Sequence, residues 1–201
     1  MAADYDISTG LRALKSTSLV LDIGPGFLAL AQDVAKRLPT LVTSLPGAPY
    51  DGQEVYLVAN AATRVLWHLR YNSALVSTYK WEFVGGPPLN VASTGSAAAT
   101  GSFADAGGSI TLPAVTGSFD VSWGGLLTPA GGGTIELGPK FGTVAMSSAD
   151  TLSGAASGSA ARSAVTTITE SAAVVKLQQR VTGGTGSTAG RWLRILPLQL
   201  A

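Results

Sequence analysis

The chain has 201 residues, enough for one ordinary domain or two small ones with a well-buried core. Charged residues make up only 12% and the mean hydropathy is +0.31, so the surface must be built largely from Gly, Ala, Ser and Thr. A net charge of +1 with no Lys/Arg run excludes a phosphate-tracking nucleic-acid surface, and the absence of Cys excludes disulfides, thiolate metal sites and a Cys nucleophile. Sparse charge is poor for a free monomer, and self-association is the economical expectation.

The first residues, Met1 to Asp6, carry acid where a signal peptide carries base. No apolar stretch reaches the roughly 18 residues of a membrane span, so a soluble, cytosolically made chain without membrane insertion is expected. Residues 8–20 fit either a short helix or an extended arm. From Asp22, an N-cap candidate, the pattern predicts a helix over Pro25 to Leu38, with Lys36 and Arg37 in its last turn. Phe27, Leu30, Val34 and Leu38 fall on one stripe of that helix and form a candidate self-association surface. The stripe either lies on its own domain or joins a short bundle around a symmetry axis, because a lone helix this short is marginal in water.

After the turn chemistry of residues 45–52, three β-rich runs follow, at 53–59, 64–71 and 77–84. Short polar loops between them predict an antiparallel meander. Alternation places Val65, Trp67, Leu69 and Tyr71 on one side of the second run, and Tyr79, Trp81 and Phe83 on one side of the third, as a buried aromatic face. Tyr56, His68 and Arg70 lie opposite and form a candidate surface recognition patch. Gly85-Gly86-Pro87-Pro88 supplies the best internal boundary. Beyond it, apolar runs at 109–115, 118–127, 134–146, 161–169, 172–181 and 191–200 alternate with Gly-rich turns, which predicts a β-sandwich or barrel. In the run 174–181, Val175, Leu177 and Val181 alternate with Lys176, Gln178 and Arg180, the pattern of a half-buried strand. The segments 93–101 and 147–163 read as loops inside an ordered domain, and Trp123 and Trp192 as core. The expected fold is thus mainly β: an N-terminal helical docking segment (1–40), a small antiparallel β module (41–89) and a β-sandwich (90–201).

Material for catalysis is thin. The single His68 could face Glu54 or Glu82 across the sheet as a base and its orienter, but no nucleophile elbow accompanies it. One His excludes the common zinc patterns, and no EF-hand-like acidic loop occurs. Gly24-Pro25-Gly26 and Gly131-Gly132-Gly133 lack the ending of a phosphate loop and read as turns. No catalytic residue, cofactor or metal is expected.

The stretches Asp51-Gly-Gln-Glu-Val-Tyr-Leu-Val-Ala59, Trp67-His-Leu-Arg-Tyr-Asn72 and Tyr79-Lys-Trp-Glu-Phe-Val-Gly-Gly-Pro-Pro-Leu89 together resemble a module in structural proteins of long-tailed bacteriophages, notably actinophages. The ending Arg191-Trp-Leu-Arg-Ile-Leu-Pro-Leu198 is similar to the closing strand of the sandwich that follows this module. The resemblance covers about half the chain and is more specific in the module. It implies a virion component of minor-tail or fibre-like type, with an N-terminal piece docked to other virion proteins and a distal jelly-roll-like sandwich, trimeric. A host cell-surface glycan or protein is then the expected external partner, and capsid decoration or a head fibre the alternative role. The Ala/Gly/Ser-rich sandwich loops depart from the usual pattern, so no ligand specificity is carried over.

Overall fold

Alternating apolar and polar runs become strands in the computed structural model, which describes residues 38–146 and 151–201. Thirteen strands are present among the described residues: β1 (Thr40–Val42), β2 (Glu54–Asn60), β3 (Val65–Tyr71), β4 (Trp81–Gly85), β5 (Leu89–Ser93), β6 (Ala97–Ala98), β7 (Ala104–Thr111), β8 (Gly117–Ala130), β9 (Thr134–Phe141), β10 (Leu152–Gly154), β11 (Gly158–Ile168), β12 (Val174–Thr182) and β13 (Thr185–Leu200). The fold is mainly β, and no helix occurs among the described residues. The helix expected over Pro25 to Leu38, with Phe27, Leu30 and Val34 of its stripe, lies outside them. Leu38 alone of the stripe is described, and it is exposed.

Two sheets are formed. One has nine strands in the order β1-β2-β3-β4-β13-β8-β11, with β5 and β6 also paired to β13; the other has the order β10-β9-β12-β7. All pairings are antiparallel except β1 with β2. The inward positions of both sheets share one core, in which Trp67, Trp123, Phe119, Leu137, Leu177 and Ile195 are fully enclosed. Trp123 of β8 donates its indole N–H to the carbonyl of Leu137 in β9 at 3.1 Å, a polar tie from one sheet to the other. A buried indole needs such a partner, because an unpaired N–H would forfeit its hydration.

The residues expected to form two bodies, 41–89 and 90–201, pack as one compact unit, Thr40–Ala201. The Gly-Gly-Pro-Pro segment does end the meander, but β13 returns to pair with β4 at Gln199↔Glu82 and Leu200↔Trp81, which carries one sheet across the expected boundary. Gly131 and Gly132 form the tight turn from β8 to β9, both with positive φ (60° and 76°), which glycine adopts at little cost. Gly184, in the β12–β13 turn, packs so closely on them that a Cβ there would lie 2.6 Å from the Ala130 carbonyl. The glycines at this end therefore close two chain reversals against each other.

Several strand limits differ from the sequence expectation for identifiable reasons. The run at 134–146 stops at Phe141, where Gly142 turns with φ 50° and the Glu170 carboxylate accepts the N–H and hydroxyl of Thr143, each at 2.9 Å. The third meander run forms strand only from Trp81; just before it, the Lys80 ammonium donates to the carbonyls of Ser73 and Leu75 in the preceding loop. Much of the segment 147–163, expected as loop, forms β10 and the first half of β11. Trp192 is only half-buried. A β-bulge places Gly190 and Arg191 opposite the single residue Gly125, between the pairs Ala189↔Leu126 and Trp192↔Gly124, and this resets the alternation. Arg191 consequently points inward and Trp192 outward.

Arg191 is 3% exposed and is held by neutral groups. Its guanidinium donates to the Thr188 carbonyl at 2.5 Å, the Thr188 hydroxyl at 3.1 Å and the Ser93 hydroxyl at 3.1 Å. Thr188 in turn donates to the side-chain carbonyl of Gln179, whose amide donates to the carbonyls of Ala97 and Ala98 at 3.1 and 2.9 Å. Burial lowers the guanidinium pKa from its usual value. This polar chain pins β6 and β12 to β13.

Candidate functional site

The meander supplies an open, chemically varied face. Because Val55, Leu57, Trp67, Leu69 and Trp81 fill the core, the intervening residues must point outward: Glu54 and Tyr56 on β2, Leu66, His68 and Arg70 on β3, Glu82 and Val84 on β4. The register sets Tyr56 opposite His68 and Arg70 between Glu54 and Glu82. The Tyr56 and His68 rings meet at 4.8 Å with a 33° tilt. His68 Nε2 lies 2.9 Å from Glu54 Oε2, and Arg70 donates to Glu82 Oε2 at 3.3 Å. The three residues of the expected patch are therefore neighbours on one face, and His68 takes Glu54, not Glu82, as its acidic partner.

His68 beside Glu54 has the spacing of a base and its orienter, but the outward positions of β2, β3 and β4 carry no Ser, Thr or Cys beside it. What this arrangement offers is contact: a tyrosine 38% exposed, the Arg70–Glu82 ion pair, the His68–Glu54 hydrogen bond, and the apolar flanks of Leu66 and Val84. Among the described residues, no three His, Cys, Asp or Glu side chains gather as a metal site.

A groove of about 530 Å³ lies near one end of this face, between the β2–β3 turn, the Pro-Pro segment with β5, and β7. Asn60, Thr63, Asn90, Ser109 and Thr111 contribute its polar lining, Pro87 and Pro88 a rigid wall, and no lining residue is ionisable. The wall is fixed by Trp67, whose indole N–H donates to the Pro87 carbonyl at 3.1 Å. The turn is fixed by Asn60, whose side-chain oxygen accepts the N–H of Thr63 at 3.0 Å, while Arg64 adopts a left-handed φ of 55°. Such a lining suits an uncharged, hydrogen-bonding ligand. Sequence reasoning missed it, since three separate stretches of small residues build it.

Compared with known proteins, the chain matches no family model, no curated protein and no solved structure.

Proposed function

We propose that the chain is a structural component of a bacteriophage virion, a fibre- or spike-like tail protein that contributes to host attachment and has no catalytic role. In this reading it acts as a homo-oligomer, a trimer with a jelly-roll-like sandwich, and residues 1–40 dock it to other virion proteins. The observation that carries the reading is the meander. Its residues, 51–89, are those that resemble the phage module, and they present Tyr56, His68 and Arg70 side by side on an open face, with His68 against Glu54 and Arg70 paired to Glu82. Several copies of such a face give avidity, so contacts that are individually weak can hold a cell.

Two measurements test it. Labelling of intact virions is expected at the tail, and label on the capsid would overturn the tail assignment in favour of head decoration. Purified protein is expected to bind host cells, with the Tyr56→Ala/Arg70→Ala double variant weaker by about tenfold or more, as for loss of interface anchors. Undiminished binding by that variant would remove the face from the attachment role.

A further inference from the structure

We infer that the outer face of β11, β8 and β13 is a self-association surface on which a second copy of this chain packs, with Asp120 of one copy facing Arg194 of the next. This rests on the homo-oligomer of the virion reading and adds a contact to it: a face complementary to itself joins copies about a two-fold axis, distinct from the three-fold contact of the trimer.

The face follows from the registers. Core positions on β8 and β13 are Phe119, Val121, Trp123, Leu193 and Ile195, so the alternate residues lie on the other side of the sheet. Across the three strands the outward rows read Val165–Asp120–Leu196, Ser163–Ser122–Arg194, Ala161–Gly124–Trp192 and Ser159–Leu126–Ala189. These rows are nearly all small or apolar. Val165 is 67% exposed and Leu126 is 41% exposed. Trp192 lies flat over Gly124, where a Cβ would come within 2.8 Å of the indole. The result is a smooth surface with a shallow trough of about 330 Å³ between Leu126, Ala161 and Trp192.

Two charges stand on these rows, one acidic and one basic, and they identify the occupant. Asp120 and Arg194 sit on adjacent strands but do not pair with each other, and neither makes a side-chain hydrogen bond or ion pair among the described residues. A surface whose unpaired charges are one of each sign is complementary to itself, and a neighbouring copy can satisfy both. The size stands at the lower limit. Eleven residues at ~3.4 Å along β11 and three strands at ~4.8 Å give roughly 500 Å² per copy, hence about 1,000 Å² per contact, the least that a biological interface buries and below the roughly 1,200–2,000 Å² of stable ones.

β11 ends its sheet and pairs with β8 in unbroken register from Gly158 to Ile168, without proline or bulge. Its one charge, Arg162, stands on the core side, its guanidinium 5.7 Å from the Trp123 ring centre and donating to the Thr151 carbonyl at 2.8 Å. An inward-pointing charge of this kind protects a sheet edge, so the contact is made through the outer face, where β11 carries no charge, and not along the edge.

The experiment is sedimentation velocity of the full chain at micromolar concentration, with Asp120→Arg, Arg194→Asp, the double reversal Asp120→Arg/Arg194→Asp, and Val165→Lys on the exposed edge. Circular dichroism monitors folding, which the substitutions at exposed Arg194 and Val165 and at half-buried Asp120 should leave intact. The wild type is expected to be oligomeric. Each single reversal and Val165→Lys should raise the apparent dissociation constant by about tenfold or more, and the double reversal should recover most of that loss, because like charges opposed across an interface repel and the swapped pair attracts. Recovery is the readout that a merely structural role would not produce. An oligomeric wild type whose variants are indifferent overturns this face but leaves the virion reading intact. A monomeric wild type overturns the face and the oligomer together. Failure of the virion labelling would instead sink the virion reading and leave the charge-swap result standing.

Discussion

The bulge at Gly190 decides which of two large side chains enters the core, so its backbone conformation should carry a measurable free energy. Gly190 has φ 53°, and a Cβ built on it would meet nothing within 4 Å. Gly190→Ala therefore introduces no collision, and its cost is the left-handed conformation alone, about 1–2 kcal/mol for a non-glycine residue. For a unit of this size that corresponds to a fall in Tm of about 2–8 °C. Gly158, at the start of β11, is the control. Its surroundings are equally open but its φ is ordinary, so Gly158→Ala should be neutral or stabilise by up to about 1 kcal/mol by restricting the unfolded chain. Gly190→Asn should fall between wild type and Gly190→Ala, since Asn tolerates this region better than Ala. The assay is equilibrium urea unfolding followed by circular dichroism, with thermal scans alongside. Equal effects at the two glycines would refute the conformational account, and a Gly190→Ala loss well beyond ~2 kcal/mol would show that its surroundings are not open.

Trp123→Phe removes the indole N–H that reaches the Leu137 carbonyl and part of an enclosed ring, so a loss of about 2 kcal/mol is expected, roughly half from the hydrogen bond and half from packing. An unchanged urea midpoint would show that the tie between the sheets adds nothing. Acid should weaken the fold. Hydrogen bonds from Ser73 hold Asp51 below its ordinary value of 3.8, those from Gln178 and Lys176 do the same for Asp105, and those from Thr143 hold Glu170 below 4.5. Near these pH values the unfolded chain binds more protons than the folded one, so the three groups contribute fully above about pH 5 and progressively less as pH falls through their folded values. All three are well solvated and the effect of each is small. Asp51→Asn should flatten the acid limb of the stability profile, and an identical limb in that variant would contradict the assignment.

Strands with strong alternation were legible in the sequence, and β12 is the best case, with Val175, Leu177 and Val181 inward and Lys176, Gln178 and Arg180 outward. Gln179 occupies a core position in the same strand, and no pattern of apolar residues marks it. It is tolerated there because Thr188, Ala97 and Ala98 satisfy its amide. The segment 158–160 carried no strand signal, since small residues point both ways from it. Its conformation comes from pairing with β8, a contact more than 30 residues distant. Trp192 was expected inside for its size, whereas alternation with the buried Leu193 and Ile195 sets it outward beside Arg194. Tyr56, His68 and Arg70 share a face as their spacing requires, whereas the groove between Thr63, Asn90 and Thr111 unites positions that no local pattern connects.

The sixteen-residue strand β13 pairs with β4, β5, β6 and β8, all of which precede it in the chain. During synthesis, each of those segments leaves the ribosome before its partner exists, and half of the pairings in the nine-stranded sheet must wait for one late arrival. Loop closure over such separations is slow, so folding should be rate-limited by capture of β13, with β8 the stretch most prone to intermolecular mispairing in the interval.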